Sequence, residues 1–570
     1  MNAGQPTEHP TSAVPTPSAL SEAGVAHLQA GRHLEAQLCC RNALAADPNH
    51  RDSLHLMGML CLQARQYDHA IEWIARANQQ DVKSDYLLSL GTALEQQGLY
   101  QEALGAFDRG VQIKPDDAEL WASRGTTLSH LGRLDEALSC FDRCDELLPN
   151  NAAVMEQRGV TLHRLKRYDE ALADHRHAHA LNPTNPNVCN NIGASLQYLR
   201  RDEEALAWFD KALALKPDFI MALINKASSL AQMRRIDETI ATYEQVKAID
   251  PANTEADSYL SLVYLLLGDF EAARAGHKAR WNGHMLPGSY PDFQQHLWLG
   301  DEEVSGKTIL VFADEGFGDT IQFARYVPML AARGANVVLL VEEALRPLLS
   351  NLPGIAQCLA KPAPSLPPFD LHCPIGTLPL AFDTRLETIP AASSYLPSPP
   401  DDRVQAWERR LSEREGSVRK LRIGLVWTGN PKHSNDHNRS IPLSTLSPLF
   451  SADASFVSLQ KEVRLGDSAA LHASGIVDLT ADLTDFTETA ALMSCLDLVI
   501  SVDTSVAHLA AALGRPTWIL LPYLPDYRWL LDRDDSPWYP TARLFRQGAR
   551  RDWAEVIGRV REALDELGAR

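Results

Sequence analysis

"LWASRGTTLSHLGRLDEALSCFDRCDELLP", residues 120–149, is one unit of a pattern that runs through the first half of the chain. Gly125 in it belongs to a column, Gly24, Gly58, Gly91, Gly125, Gly159 and Gly193, spaced 34, 33, 34, 34 and 34 residues apart. Ala227 and Ser261 continue that column at 34. Ala36, Ala70, Ala103, Ala137, Ala171 and Ala205 form a second column, and Pro48, Pro115, Pro149, Pro183, Pro217 and Pro251 a third. The pattern predicts two antiparallel helices per unit. Small residues let the paired helices approach closely, and the proline ends each unit because it cannot sit inside a helix.

This pattern closely resembles the tetratricopeptide repeat, with eight units over 21–282. Such a solenoid exposes a concave groove that takes a protein or peptide partner. Two positions before the small column stand Ser89, Ser123, Gln157, Asn191 and Asn225. They predict a polar ladder along one face, either a peptide grip or a solvated surface. The superhelix of O-GlcNAc transferase carries asparagines at the equivalent position; here the column has two. Residues 1–20, rich in Pro, Ser and Thr, predict a disordered tail.

The helical period stops near Trp281, and 283–305 reads as a connector. Beyond it, short apolar runs alternate with helical stretches, the pattern of parallel α/β domains. The first half spans 306–400, with strands at 308–313 and 336–341. Between them an amphipathic helix over 319–333 is bent by Pro328 and stopped by Gly334. A linker helix, 401–420, separates it from a second half, 421–570. There "LRIGLVW", "SFVSLQ", "DLVISVD" and "RPTWILLP" read as strands, and 553–567 as a closing helix. Ligands of such paired halves sit at the C-terminal ends of the strands.

Two stretches carry the chemistry. "DEGFGDTIQF", 314–323, follows the first strand. Gly316-x-Gly318 opens a dinucleotide fingerprint, but its third glycine is replaced by Ile321, and Asp319 puts a charge where a pyrophosphate would lie. The glycines fit a neutral sugar or hydroxyl better. Asp319 then reads as a general base at a fixed helix start or as a helix cap, and the motif alone leaves both open. "VISVDTSVAHLAAALGRPTWIL" follows a later strand. Asp503, Thr504 and Ser505 stand at its turn, where free N–H groups and hydroxyls suit an anion. His508 lies on the first turn of that helix. "WTGNPKHSNDHNRSIPL" holds Lys432, His433, His437 and Arg439, a local cationic cluster in an acidic chain.

Together these residues resemble the GT-B glycosyltransferases, nearest the glycosyltransferase family 9 (ADP-heptose:lipopolysaccharide heptosyltransferase-like) pattern over about 305–565. The resemblance implies two Rossmann-like halves, an acceptor side first and a nucleotide-sugar side second. It implies an inverting, metal-independent transfer with Asp319 as catalytic base. The donor would be bound by Lys432, Arg439, Asp503, Thr504, Ser505 and His508, Asp503 capping the helix or holding a donor hydroxyl rather than touching phosphate, with Gly316 and Gly318 in the cleft. Gln322, Gln460 and Lys461 are weaker candidates for the cleft. Repeats joined to such a transferase also resemble the layout of O-GlcNAc transferase. The alternative is an inactive repeat scaffold; an epimerase would need an additional acid/base set.

The bulk numbers set limits. Basic residues number 54 against 73 acidic, a formal net charge of -19, which disfavours a nucleic-acid backbone as partner. Nine cysteines without a CxxC pair read as reduced thiols of a cytoplasmic protein. No apolar run reaches membrane-spanning length. No cofactor or metal is expected. Asp532-Arg533-Asp534 reads as a solvated loop rather than a metal site, and His433 and His437 lie in a loop-like stretch without zinc-motif context. The donor sugar, its base and the acceptor stay open.

Overall fold

A computed structural model describes residues 15–282, 293–414, 419–433 and 435–568. Contacts divide the chain into two compact units, Met1–Ser229 and Leu230–Arg570. Helical pairs fill the described part of the first unit, from Pro17–Gln29 with His33–Ala46 to Pro186–Tyr198 with Asp202–Leu215. The first helix begins inside the stretch expected to be tail, because Pro17 suits a first helical position and Thr16 Oγ1 accepts from the Ala19 N–H. The rest of that expected tail, 1–14, lies outside the described residues.

The glycine column has a physical cause visible in the packing. A methyl group on Gly91, Gly125 or Gly193 would lie 2.5, 2.7 or 2.5 Å from the ring of Phe107, Phe141 or Phe209. The aromatic ring of each second helix thus occupies the space that a side chain on the first would need. At Gly159 the ring is that of His175, 2.5 Å away. Exposed pairs such as Arg133–Glu136, Arg167–Glu170 and Arg201–Glu204 recur between turns, and at such exposure they stabilise little. Of the expected ladder, Ser89, Ser123, Asn191 and Asn225 are half-buried and Gln157 is exposed. Ser89 Oγ bonds His55 Nε2 at 2.9 Å, and Asn225 donates to Asn190 Oδ1 at 2.9 Å.

The second unit begins with repeat helices Ile236–Ile249, Thr254–Leu267 and Phe270–Asn282 and continues as two parallel sheets. The first sheet contains β1 (His296–Leu297), β2 (Thr308–Phe312), β3 (Asn336–Glu342), β4 (Ile355–Lys361) and β5 (Leu371–Pro374), in the order β1-β5-β2-β3-β4. The second contains β6 (Leu421–Val426), β7 (Ala454–Ser458), β8 (Leu498–Val502), β9 (Thr517–Leu521) and β10 (Ala542–Arg546), in the order β10-β9-β8-β6-β7. β2, β3, β8 and β9 are nearly continuous apolar runs because both faces are covered.

Two details differ from expectation. The 319–333 helix is divided rather than bent. Phe317–Phe323 and Val327–Ala332 flank a single 3₁₀ turn, with Pro328 in the first turn of the second piece. The end of the expected connector also supplies an edge strand, β1, pairing His296 with Leu371; residues 283–292 of that connector lie outside the described set. Gly334 stops the second helix piece at φ +83°, the left-handed conformation a glycine accepts without strain.

In each sheet the strand order reverses direction once, between β2 and β5 and between β6 and β8. Crevices open at the C-terminal ends of such strand pairs. Asp314 marks the first, its Oδ1 accepting from the Gly376 N–H at 3.0 Å. Trp427–Gly429 and Asp503–Ser505 mark the second. The linker helix, Asp401–Ser412, packs with the second half: Trp407 Nε1 donates to Glu488 Oε2 at 2.8 Å, and Glu408 pairs with Arg422 at 2.6 Å.

Candidate functional site

The helix Phe317–Phe323 starts where β2 ends, and the helix Ser505–Ala512 starts where β8 ends. Their N-terminal turns meet. A methyl group on Gly318 would lie 2.8 Å from His508 Cδ2 and 3.6 Å from Ser505 Cα. Gly318 was expected to clear space for a sugar; here it lets the two motif helices touch. Gly316 is the N-cap, in extended conformation, with only Asp319 Oδ2 near its missing side chain, at 3.2 Å.

Asp319 stands at the third position of its helix. Its Oδ2 accepts from the Gly316 N–H at 3.0 Å, half of a capping box that glycine cannot complete. Its Oδ1 pairs with the Arg528 guanidinium. The carboxylate therefore caps the helix and also faces the second half.

Arg528 comes from the 3₁₀ turn Tyr527–Trp529 that follows β9. Besides Asp319 it holds Asp526 at 2.6 Å and Glu315 at 3.5 Å. Burial and the Asp503 and Glu315 charges push the Asp526 carboxyl up to about 8. Burial is the larger cause, and the Asp503 and Glu315 charges add to it. Burial also acts to raise Asp503, but the His508 imidazole and Arg439 guanidinium beside it hold that carboxyl below the usual range.

His508 is buried. Its Nδ1 bonds the Tyr539 hydroxyl at 2.9 Å, its Nε2 stands 3.7 Å from Asp503 Oδ1, and its ring stacks on Trp529. It orients Asp503 from inside the core. Thr504 caps its helix in extended conformation, and its Oγ1 lies 3.1 Å from Ser501 Oγ. Ser505, half-buried, opens the helix. Arg439 donates to the Asp503 carbonyl at 3.0 Å, and Gly429 admits its guanidinium, which leaves Nε buried with no hydrogen-bond partner. Lys432 and His433 are exposed on the preceding turn, and His437 is exposed on the short helix Asp436–Arg439, where a loop was expected.

The weaker candidates have other partners. Gln460 Oε1 accepts from the Trp427 and Thr428 N–H groups at 3.1 and 2.9 Å, so it braces the end of β6. Lys461 donates to the Leu483 carbonyl at 2.5 Å. Gln322 is fully buried, and both atoms of its amide lack a hydrogen-bond partner. Asp532 pairs with Arg234 at 2.6 Å, and the Asp534 carbonyl accepts from Leu544 at 2.7 Å. Arg528, Asp526 and Glu315 were absent from the sequence-based list. The signal for Asp526 and Arg528 was the density of Tyr, Arg and Trp in "PDYRWLL" just past a strand end, and Glu315 lies in the stretch 314–323 itself.

Replacing Gly318 tests the helix contact. Gly318→Val is expected to cost about 1–3 kcal/mol, because His508 is fixed by Tyr539 and Trp529 and cannot retreat. Gly316→Ala, with one mobile carboxylate nearby, is expected to cost less. Urea unfolding of both variants checks the order, and equal losses would contradict the contact.

Residues 458–521 match the sequence model of glycosyltransferase family 9 (heptosyltransferase), a span that includes Gln460, Asp503, Thr504, Ser505 and His508. Residues 88–152 and 187–216 match tetratricopeptide-repeat models, and 30–110 match that of anaphase-promoting complex, cyclosome, subunit 3. Protein FlbA of Caulobacter vibrioides is 28% identical over 302 residues, 48% of this chain and 48% of its own. The chain thus spans about half the length of that curated relative. Among solved structures, YrrB, described as a TPR protein with an unusual peptide-binding site, is 23% identical with a TM-score of 0.27, covering 29% of this chain and 86% of its own. MamA AMB-1 is 27% identical with a TM-score of 0.27, covering 29% of this chain and 98% of its own. The Cut9 and Hcn1 hetero-tetramer structure is 16% identical with a TM-score of 0.36, covering 46% of this chain and 52% of its own. By the family matches, the chain joins tetratricopeptide repeats to a C-terminal region similar to glycosyltransferase family 9.

Proposed function

We propose that this chain is an inverting glycosyltransferase that moves a sugar from a nucleoside-diphosphate donor to a protein or glycan acceptor recruited through its repeats. The observation that carries the reading is the contact at Gly318 and His508. It supports the reading because the residue next to Asp319 packs on the first turn of the helix that Thr504 caps and Ser505 opens. The acceptor oxygen attacks the anomeric carbon as its proton passes to Asp319, help worth about 10²–10⁴-fold. The bond from that carbon to the donor phosphate breaks, and its electron pair leaves on the diphosphate. Arg439, Lys432 and the N–H groups of the Ser505–Ala512 helix stabilise that charge, so the proposal assigns no metal ion.

We place the protein in the cytoplasm, a reading supported by nine cysteines that are all free. Among the described residues no helix is long and apolar enough to cross a membrane. The second reading, an inactive scaffold, draws on the Arg528 guanidinium that engages Asp319. A panel of ADP-, UDP-, GDP- and dTDP-sugars separates the two. Nucleotide release from one donor is expected; an intact chain that binds none of them supports the scaffold.

A further inference from the structure

One guanidinium, that of Arg528, faces three carboxylates: Asp319 and Glu315 from the first half and Asp526 from its own turn. Its side chain is 10% exposed, with the charged end 4.5 Å from the Tyr527 ring and 5.8 Å from that of Phe323. Asp503 and Arg439 lie near enough for their charges to act on Asp526. Both oxygens of Asp319 already accept a strong donor, Gly316 N–H on one and Arg528 on the other. A guanidinium against a carboxylate favours its ionised form and weakens it as a proton acceptor.

The turn that carries Arg528 is itself strained. Leu530, which ends it, has φ 54° and ψ −172°, a conformation costly for a side-chain-bearing residue. The surrounding structure holds it there: Gly268 of the last repeat pair packs on Leu530, and Arg234 pairs with Asp532 at 2.6 Å.

We propose that Arg528 exchanges partners during the reaction, leaving Asp319 for the diphosphate of the incoming donor. The planar fork of arginine matches two phosphate oxygens at once, and the donor brings its charge to the crevice beside Asp503 and Ser505. Losing the guanidinium frees an oxygen of Asp319 for the acceptor hydroxyl. The base becomes competent only when a donor is present, and the same movement puts a positive charge on the leaving group. This role rests on the glycosyltransferase reading and extends it to a residue outside both sequence motifs.

Calorimetric titration of the full chain with ADP, UDP, GDP and dTDP tests it. The diphosphate that binds the wild type is expected to bind Arg528→Gln at least about tenfold more weakly. Asp319→Asn, which removes one of the three acidic partners of Arg528, is expected to bind it a few-fold more tightly. Arg528→Lys, which keeps the charge but loses the fork, is expected to fall between Arg528→Gln and wild type, and it carries the test should Arg528→Gln melt early. In turnover, Arg528→Lys is expected to move the acidic limb of the kcat/KM profile, a change that a purely structural role would not produce. Wild-type affinity in folded Arg528→Gln or Arg528→Lys, or no tightening in Asp319→Asn, overturns the exchange while leaving the glycosyltransferase reading intact. A folded wild type that binds none of the four diphosphates removes that reading and this role together.

Discussion

Asp319→Asn is expected to lower kcat about 10²–10⁴-fold without weakening donor binding. Asparagine keeps an oxygen for the Gly316 N–H, so the helix start survives the change. What it loses is the ability to take a proton from the acceptor. The substituted site can hold donor and acceptor but must leave the proton to water. Steady-state kinetics on the donor that the panel identifies would check this. A kcat within about threefold of wild type would assign Asp319 to capping and ion pairing alone. The Arg528 pair makes the variant informative in a second way: it removes one charged partner of a buried guanidinium that still holds Asp526 and Glu315. A melting curve therefore has to accompany the kinetics, so that lost fold and lost chemistry are told apart.

His175→Phe is expected to stabilise the repeat unit, and by more at lower pH. His175 fills the ring position that Phe107, Phe141 and Phe209 occupy in neighbouring repeats. It is buried and its Nδ1 has no hydrogen-bond partner. Burial, together with the nearby His163, lowers its pKa from 6.5 to about 3. Between those values the unfolded chain takes up a proton that the folded one refuses. Stability is therefore lost as pH falls, by about 1.4 kcal/mol per pH unit, or roughly 3–5 kcal/mol over the whole interval. Phenylalanine removes that penalty, and at neutral pH it also removes an unsatisfied buried nitrogen worth about 1–3 kcal/mol. Urea midpoints of the two proteins should diverge between pH 7 and pH 4. Curves that stay parallel would show that His175 is solvated or paired in the folded state.

The repeats were legible because one steric event recurs. A bulky side chain packed on each of Gly24, Gly58, Gly91, Gly125, Gly159 and Gly193 demands a glycine there, and a spacing of 33 or 34 residues repeats that demand. The buried strands were legible for a similar reason, since parallel strands covered on both faces leave long apolar runs. Pro328 was seen, but its full effect was not, because whether a proline bends or divides a helix depends on what packs around it. β1 is two residues long and owes its place to β5, far along the chain, so no local pattern announces it.

Within the candidate site, both helix starts were visible as motifs, and what connects them was not. Gly318 serves His508, a partner 190 residues away, and spacing along the chain says nothing of that contact. Arg528 reaches Asp319 across 209 residues for the same reason. Gln460 shows the opposite failure. A polar residue past a strand end reads as a cleft residue, and its amide also binds the backbone of Trp427 and Thr428, just past β6.

A crystal structure of the full chain with its nucleoside diphosphate bound would test the shared site most directly. The account predicts the diphosphate at the N-terminus of the Ser505–Ala512 helix, in reach of Arg439, with the Asp319 carboxylate facing the same space. A nucleotide lodged elsewhere on the chain, or a diphosphate shielded from Asp319 by intervening protein, would contradict it.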